Sequence, residues 1–275
     1  MKVSYYPGCS LLGTAREYDE SNRAVCGALG IELEELEGWN CCGATSAHST
    51  DDYLALALPA RNLVIADGKG LDLIVPCSAC FLRLKASEKK LLEMPLADFP
   101  YRGSLKVKHL LNFLAEDENI QKIQERVKKP LAGLKVACYY GCLIVRPPKV
   151  TGATEPEDPK EMDRLMAALG AEVIEWSFKT ECCGGSLVLA RPDIATKLVE
   201  RILKMAKEAG AEALVSCCPM CQSNLETCQG ESSHRTPVFY FTELLGLALG
   251  LSGVKGWLKR HLIDPRQPLR EKGLI

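Results

Sequence analysis

The 275-residue chain lacks an excess of charge of either sign and lacks any long apolar run. Its 34 Lys and Arg balance 35 Asp and Glu, so the sequence predicts no basic surface for nucleic acid or for an anionic membrane. The most apolar stretch, residues 239–254, is shorter than the roughly 20 residues that span a bilayer, and we expect a buried helix there. The N-terminal residues lack the apolar core of a secretory signal, which favours a cytoplasmic protein.

The sequence also lacks several signatures that redox proteins often carry. It contains no Gly-rich dinucleotide fingerprint, no flavin signature and no C-x2-C-x2-C-x3-C-P ferredoxin run. What it does contain is cysteine, with fourteen residues in a chain that shows no sign of export. Their spacing must therefore decide between disulfide, metal-binding and catalytic roles.

Most of the cysteines belong to an internal repeat. A CC pair and a C-x-x-C recur 141 positions apart, and a Gly-Cys step after an aromatic run recurs 133 positions apart. A net insertion of eight residues in the Pro-rich segment 147–161 accounts for the difference. The first half thus carries Cys9, Cys41, Cys42, Cys77 and Cys80, and the second half carries Cys142, Cys182, Cys183, Cys218 and Cys221.

The pattern of apolar residues predicts a parallel α/β fold in each half. Short apolar runs alternate with longer helical patterns such as residues 194–209, which is typical of βαβ units. A charged, helical segment at 116–130 ends the first half, and we place the domains at 1–132 and 133–275. The strands are predicted at 2–6, 31–36, 71–76, 134–140, 172–176 and 213–216. Each of them lies shortly before a cysteine in the sequence.

Five clustered thiols in each half indicate metal binding. Because ligand loops converge at the carboxyl ends of parallel strands, the cysteines that follow those strands are expected to meet there. Zinc would leave one thiolate of each five unused, and disulfides fit an odd number poorly, so iron–sulfur chemistry is favoured and the other two interpretations stay open. We interpret the other four cysteines as buried structural residues, namely Cys26, Cys138, Cys217 and Cys228.

The motifs CCGATSAH with CSAC, and CCGGS with CPMC, each preceded by Gly-Cys, resemble the paired CCG domains in the B-type subunit of heterodisulfide reductase. The resemblance extends over nearly the whole chain. It implies an α/β fold of two pseudo-twofold-related CCG domains, each a small Rossmann-like parallel sheet flanked by helices. It also implies that each set of five cysteines holds one noncubane 4Fe-4S cluster.

The activity and the partners are likewise implied by the resemblance. Such a protein reduces a heterodisulfide, of the coenzyme M and coenzyme B type, to two thiols, with one electron from each cluster. Its electrons would come from two further proteins of the complex, one ferredoxin-like and one flavin-containing. Two alternatives within the family are a component of a sulfur-oxidising complex and an electron-transfer component of a succinate, glycolate or lactate-type oxidoreductase, and a structural zinc protein is a further one.

Several other residues near the cysteines are candidates for supporting roles. Gly43, Gly184 and Gly185 would let the backbone approach a cluster closely, and the helix that follows would stabilise its negative charge. His48 and Arg146 lie six and four residues beyond proposed ligands, and they could contact an acidic substrate or supply a proton.

Overall fold

The computed structural model describes residues 1–44, 47–230 and 235–275. They form two sheets of four parallel strands, with strand orders β2-β1-β3-β4 and β6-β5-β7-β8. The first sheet contains β1 (Lys2–Tyr5), β2 (Glu32–Glu35), β3 (Leu73–Val75) and β4 (Val107–His109), and the second contains β5 (Lys135–Tyr139), β6 (Glu172–Val173), β7 (Ala213–Ser216) and β8 (Val238–Tyr240).

Helices connect the strands of each sheet. In the first half they are α1 (Cys9–Leu12), α2 (Arg16–Ala28), α3 (Ala47–Thr50), α4 (Asp52–Asp67), α5 (Ser78–Glu93), α6 (Leu110–Leu114) and α7 (Asp117–Gln124). In the second half they are α8 (Pro148–Thr151), α9 (Glu161–Ala168), α10 (Pro192–Glu208), α11 (Pro219–Thr227), α12 (Phe241–Ala248), α13 (Val254–Trp257) and α14 (Arg266–Glu271).

The fold prediction is confirmed: both halves are parallel α/β units with the same strand order. Each of the six predicted strands is present, within one to three residues at either end. The sequence prediction missed two edge strands, β4 and β8. The sequence of β4, VKH, is not a continuous apolar run, and the residues of β8 open the apolar stretch that was interpreted as a helix. Among the described residues, no helix is both long and apolar enough to cross a membrane.

The prediction of one buried helix over 239–254 is wrong in extent. The segment begins inside β8, because residues 238–240 pair with β7 as its outer neighbour. The helical part, α12, is buried at every residue, as expected. It ends before Gly250, whose φ of +70° stops the helix, and a short second helix begins at Val254.

The two halves are held together by helices of one half that pack on helices of the other. Helix α12 of the second half packs on α2 of the first, and α6 of the first half packs on α9 of the second. A buried hydrogen bond of 2.7 Å between the hydroxyls of Ser21 and Thr242 joins α2 to α12. One apolar core therefore runs through both halves, with Val3, Val25, Val136 and Leu245 among its fully or almost fully buried members. The boundary between residues 132 and 133 remains a prediction.

Candidate functional site

The cysteines lie at the carboxyl edge of each sheet, beside its two central strands. Cys9 begins α1 shortly after β1, and Cys77 is the residue that precedes α5 after β3. Connections from two such neighbouring strands leave toward opposite faces of the sheet, which opens a crevice between them. The second half repeats this arrangement with Cys142 after β5 and Cys218 before α11.

Within each half the thiols approach one another closely. The Sγ atoms of Cys42 and Cys80 are 3.2 Å apart, and those of Cys41 and Cys9 are 3.9 Å apart. In the second half, the Sγ atoms of Cys183 and Cys221 are 3.6 Å apart, and the thiol of Cys142 contacts that of Cys182. The structure therefore gathers all ten of the predicted site cysteines, which are Cys9, Cys41, Cys42, Cys77, Cys80, Cys142, Cys182, Cys183, Cys218 and Cys221.

The two groups of thiols also meet each other. The side chains of Cys77 and Cys218 are in hydrogen-bonding contact across the boundary between the halves. Each of these residues is the N-cap of a helix, so the amino-terminal ends of α5 and α11 lie next to the two cysteines. A helix amino terminus favours negative charge. The sequence analysis expected this effect at the helices after the CC pairs and did not name α5 and α11.

Hydrogen bonds between neighbouring thiols shift their pKa values strongly. Contacts with the thiols of Cys41 and Cys80 lower the pKa of Cys42 to about 3, and the thiol of Cys142 lowers the pKa of Cys182 to about 6. In exchange, the pKa of Cys80 is raised, because its proton is shared with Cys42 and Cys77. Each group thus contains a thiol whose pKa is lowered, Cys42 in the first and Cys182 in the second, and the thiolate is the form in which cysteine binds metals.

All fourteen cysteines are free thiols, so the disulfide interpretation gains no support. Across the described residues, no three or more His, Cys, Asp or Glu side chains converge on one point as ligands of a single metal ion do. The thiols form pairs and chains of contacts instead. A donor set of soft thiolates, spread in this way, fits a group with several iron atoms.

Two glycines lie very close to sulfur atoms of the site. A Cβ atom on Gly8 would lie 3.0 Å from the Sγ of Cys80, and one on Gly141 would lie 2.9 Å from the Sγ of Cys221. Both glycines also have a positive φ, of +75° and +69°. Any other residue would be strained there and would displace a sulfur atom, so the backbone leaves the space that a cluster needs.

The three glycines named from the sequence have related roles. The backbone N–H of Gly43 donates to the Sγ of Cys41 at 3.4 Å, and that of Gly184 donates to the Sγ of Cys182 at 3.3 Å. Their φ values of +74° and +76° turn the chain so that these N–H groups reach the sulfur. A Cβ on Gly185 would lie 3.5 Å from the Sγ of Cys183.

Two tyrosines that the sequence analysis overlooked hold the loops of the CC pairs. The hydroxyl of Tyr6 donates to the carbonyl of Asn40 at 2.8 Å, and the hydroxyl of Tyr139 donates to the carbonyl of Glu181 at 2.6 Å. Asn40 and Glu181 each come directly before a CC pair. The two tyrosines are 133 positions apart, the same offset as the Gly-Cys steps, which is the signal that could have found them.

A third tyrosine forms hydrogen bonds with both halves. Tyr18 is completely buried, and its hydroxyl is 3.2 Å from the carbonyl oxygen of Pro76 and 3.1 Å from that of Cys217. These carbonyls directly precede Cys77 and Cys218, the pair in contact between the halves. The Tyr18 ring also stacks on Tyr240, with centroids 4.1 Å apart and planes 6° apart. One phenol therefore sets the position of both C-x-x-C loops.

A cavity of about 530 Å³ opens between the two halves beside the cysteines. Ser10 and Ala44 of the first half line one side, next to Cys9 and close to Cys42. Gly185 and Met220 line the other side, close to Cys183 and Cys221. A shared substrate cavity between Cys42 and Cys183 remains a prediction, since the lining of this opening contains neighbours of the cysteines in the sequence and not the cysteines themselves.

Neither His48 nor Arg146 lines this cavity. The guanidinium of Arg146 pairs with the carboxylate of Glu157 and donates to the carbonyl and hydroxyl oxygens of Thr180. The backbone N–H of His48 donates to the carbonyl of Gly43, and its buried Nδ1 has no hydrogen-bond partner among the described residues. Their roles as substrate contacts remain predictions.

Comparison with known proteins defines the class of this cysteine site. Residues 3–85 and 136–226 each match the cysteine-rich domain family designated CCG. A solved structure of a hypothetical protein from Helicobacter pylori aligns with 94% of this chain and 51% of its own, with a TM-score of 0.75. At 12% sequence identity this likeness shows the fold alone.

Relatives over the whole length identify the family. The chain is 34% identical to the 8-methylmenaquinol:fumarate reductase membrane anchor subunit of Wolinella succinogenes, covering 96% of this chain and 97% of that protein. It is 30% identical to a protein of Archaeoglobus profundus that is named as similar to the B-type subunit of heterodisulfide reductase, with 93% of each covered. It is 27% identical to the B-type subunit of the ferredoxin:CoB-CoM heterodisulfide reductase of Methanosarcina mazei, covering 91% and 90%. The chain belongs to the CCG family, with the paired domains of these heterodisulfide reductase proteins, and is a redox subunit.

Proposed function

We propose that the chain carries out the disulfide and thiol redox chemistry of a heterodisulfide reductase-like complex and holds two noncubane 4Fe-4S clusters. Cys9, Cys41, Cys42, Cys77 and Cys80 would hold one cluster, and Cys142, Cys182, Cys183, Cys218 and Cys221 would hold the other. The observation that carries the proposal is that two complete five-thiol groups lie next to each other, with the side chains of Cys77 and Cys218 in contact between them.

The pairing of two sites matches the electron count of the reaction. Reduction of a disulfide to two thiols consumes two electrons and two protons, whereas an iron–sulfur cluster changes its charge by one electron at a time. Two neighbouring sites can therefore supply the two electrons to a single bound molecule. The heterodisulfide of coenzyme M and coenzyme B, named for the Methanosarcina relative, is the model for such a substrate.

The residues of the chain position these two sites and shield them. Tyr6 and Tyr139 fix the carbonyls before the CC pairs, and Tyr18 fixes those before Cys77 and Cys218. Burial of most of the thiols keeps water from the sulfur atoms, which strengthens their interaction with bound iron.

The electrons must enter from other proteins of the complex. Since the sequence carries neither a flavin nor a ferredoxin signature, a ferredoxin-like protein and a flavin-containing protein of such a complex are the proposed donors. We place this assembly in the cytoplasm, where the reducing environment keeps thiols free.

A second function is favoured by one comparison. The relative from Wolinella succinogenes is part of a fumarate reductase, and its alignment covers 96% of this chain at 34% identity. In a complex of that kind the two clusters would pass electrons without binding a sulfur substrate. A sulfur-oxidising complex, which would run the same thiol chemistry in reverse, is the remaining alternative.

Iron content and electron paramagnetic resonance test the proposal. Anaerobically purified protein is expected to contain about eight iron atoms per chain, as two clusters of about four require. Addition of a thiol to the oxidised protein is expected to produce a new paramagnetic signal, because the sulfur binds at a cluster. About four irons would contradict two clusters, and unchanged spectra with every thiol tested would favour the electron-transfer function.

Tyr18 offers a test of how the two sites are linked. Tyr18→Phe removes the hydroxyl shared by the carbonyls of Pro76 and Cys217, and is expected to shift the reduction potentials of both clusters by roughly 20–60 mV. Tyr139→Phe, which affects one half only, is expected to shift one potential and leave the other unchanged. Redox titration followed by paramagnetic resonance measures both. A shift of a single potential in Tyr18→Phe would show that Tyr18 does not link the sites.

A further inference from the structure

The loop before the first CC pair is tied to α4 by one buried side chain. Asn62 on α4 is fully buried, and both ends of its amide bond to the backbone of Asn40, the residue directly before the pair. The N–H of Asn40 donates to Oδ1 of Asn62 at 2.9 Å, and Nδ2 of Asn62 donates to the carbonyl of Asn40 at 2.8 Å. A buried amide needs such partners, so the loop and Asn62 hold each other in one arrangement.

The side chain of Asn40 ties the same loop to α4 a second time. Its Nδ2 donates to the carbonyl of Leu58 on α4 at 3.0 Å and to that of Cys41 at 2.8 Å. Its Oδ1 accepts from Nη1 of Arg61 at 2.8 Å, and the same nitrogen donates to the carbonyl of Gly38 at 2.7 Å. Helix α4 therefore holds the loop up to the first cysteine of the pair.

The corresponding helix of the second half is α10. A Cβ atom on Gly43 would lie 2.9 Å from Leu58 on α4, and one on Gly184 would lie 3.1 Å from Leu198 on α10. The two leucines thus occupy the same place beside the glycine of a CCG motif, 140 positions apart (198 − 58). Three buried positions of each helix follow the same offset, namely Pro59, Asn62 and Ala66 on α4 and Val199, Ile202 and Ala206 on α10.

Ile202 therefore takes the place of Asn62 in the second half. It is equally buried, and its alkyl side chain has no group that could bond to the backbone of a loop. The arginine one residue earlier also has a different contact, since the guanidinium of Arg201 lies over the ring of Phe178, 5.0 Å from its centroid. At this position α10 cannot supply the two hydrogen bonds that α4 supplies.

The second CC loop is held at other points. Lys179, two residues before Glu181, is buried and pairs with Asp163 at 2.7 Å. Nδ2 of Asn224 on α11 donates to the carbonyl of Cys183. Both loops share the tyrosine hydroxyl that donates to the carbonyl before the pair. The buried amide on α4 thus distinguishes the first half from the second.

From these contacts we infer that Asn62 is a positioning residue of the first proposed cluster, and that the two cluster sites are unequal because Ile202 takes its place in the second. The inference rests on the proposed function, since it takes the two cysteine groups as cluster sites. The loop that Asn62 holds continues into the turn where the N–H of Gly43 donates to the Sγ of Cys41. Hydrogen bonds to its sulfur atoms tune the reduction potential of a cluster, so the first potential depends on Asn62 and the second does not.

Asn62→Leu removes the amide and keeps a side chain of similar shape. It is expected to weaken electron uptake by the first cluster at least about threefold, because the released loop no longer holds the N–H donor against the sulfur. At about 59 mV for each tenfold change, this is a fall of about 28 mV in the first reduction potential, and the second is expected to stay unchanged. Redox titration followed by paramagnetic resonance measures both potentials. The same substitution in a Cys183→Ser background, which is expected to retain the first cluster alone, assigns the shift.

Two further variants accompany Asn62→Leu. Asn119→Leu is the matched control, because Asn119 on α7 is also buried and donates to a backbone carbonyl, that of Phe113, at 2.8 Å. It is expected to lower the thermal unfolding midpoint about as much as Asn62→Leu does and to leave both potentials unchanged. Asn62→Ser is the milder change, and since one hydroxyl cannot replace both bonds, it is expected to lower the first potential even if the leucine variant does not fold.

Hydrogen exchange in the unmodified protein tests the same contact without a substitution. The N–H of Asn40 is bonded to Asn62, whereas Glu181, at the same place before the second pair, is exposed. After correction for intrinsic rates, the amide of Asn40 is expected to exchange at least about tenfold more slowly than that of Glu181. Mass spectrometry of fragments from 38–44 and 179–185 of the anaerobically purified protein measures both rates. Equal rates would overturn the inference.

The possible results separate the role of Asn62 from the function on which it rests. An unchanged first potential in both Asn62 variants, or an equal shift of the two potentials, would overturn the inference and leave the sulfur chemistry intact. A shift of the first potential alone, in a protein that reduces no disulfide, would support the inference and overturn the sulfur function. Protein that holds no iron after anaerobic purification would overturn both.

Discussion

Replacing Cys183 with serine is expected to lower the iron content of anaerobically purified protein from about eight atoms per chain to about four. Cys183 is buried, and its sulfur lies 3.6 Å from that of Cys221, so its loss removes a central donor of the second group. Disulfide reduction needs both sites and is expected to fall at least about 100-fold. Iron analysis and the activity with an artificial electron donor measure the two effects.

Cys26→Ala is the matched control for this variant. Cys26 is as buried as Cys183, but it lies on α2 and burial alone raises its pKa to about 12. Its substitution is expected to leave the iron content unchanged and to lower the free energy of unfolding by about 1 kcal/mol. If Cys183→Ser kept all its iron, or if Cys26→Ala lost half, the division of the cysteines into ligands and structural residues would be wrong.

Gly8→Ala is expected to cost the protein its first cluster while the second is retained. The new Cβ would lie 3.0 Å from the Sγ of Cys80, and the φ of +75° adds a strain of about 1–2 kcal/mol for any residue with a side chain. Because the Cys80 sulfur is also packed against Cys42, it cannot move away freely. Iron analysis is expected to give about four atoms per chain, and the signal of one cluster is expected to disappear.

Gly30→Ala separates backbone strain from the contact with sulfur. Gly30 has the same φ of +75°, but a Cβ atom there would have no neighbour within 4 Å. This variant is expected to lose about 1–2 kcal/mol of stability and to keep both clusters. Equal loss of iron in the two variants would mean that strain, rather than the space beside Cys80, controls cluster binding.

The architecture could be predicted because the central strands are buried and each reads as a short apolar run before a cysteine. Strands β1, β3, β5 and β7 are almost wholly buried, and each is followed by a turn and a cysteine. A buried parallel strand reads as a short apolar run, and its carboxyl end is where ligands are bound. The fixed offset of 141 then required both halves to share one strand order, as they do.

The contacts between the halves could not be predicted in the same way. The exchange of α6 and α12 depends on which face each helix presents, and α12 is buried on all sides, so its sequence has no polar face to orient it. The linkage through Tyr18 joins residues that are 58 and 199 positions apart. A single sequence contains no signal for such a pairing.

The supporting residues show the limit of reasoning from proximity along the chain. Arg146 is four residues from Cys142, yet its side chain is turned to Glu157 in the inserted segment of the second half. The cavity is lined instead by hydroxyl and apolar residues, such as Ser223 and Met220, that carry no chemical signature. Residues that define a pocket by lacking charge are difficult to find from sequence, because they resemble ordinary surface residues.

The packing of helices between the two halves bears on how a chain with an internal repeat arose. Helix α2 is covered by α12 and α9 by α6, so either half alone would expose an apolar layer that its partner normally covers. A half-length protein could have covered that layer only by associating with a second copy about a twofold axis. Gene duplication and fusion would then have converted a symmetric homodimer into one chain, after which each half was free to acquire features of its own. The inserted segment and Tyr18 each occur in one half only. In a homodimer both identical chains would have carried them.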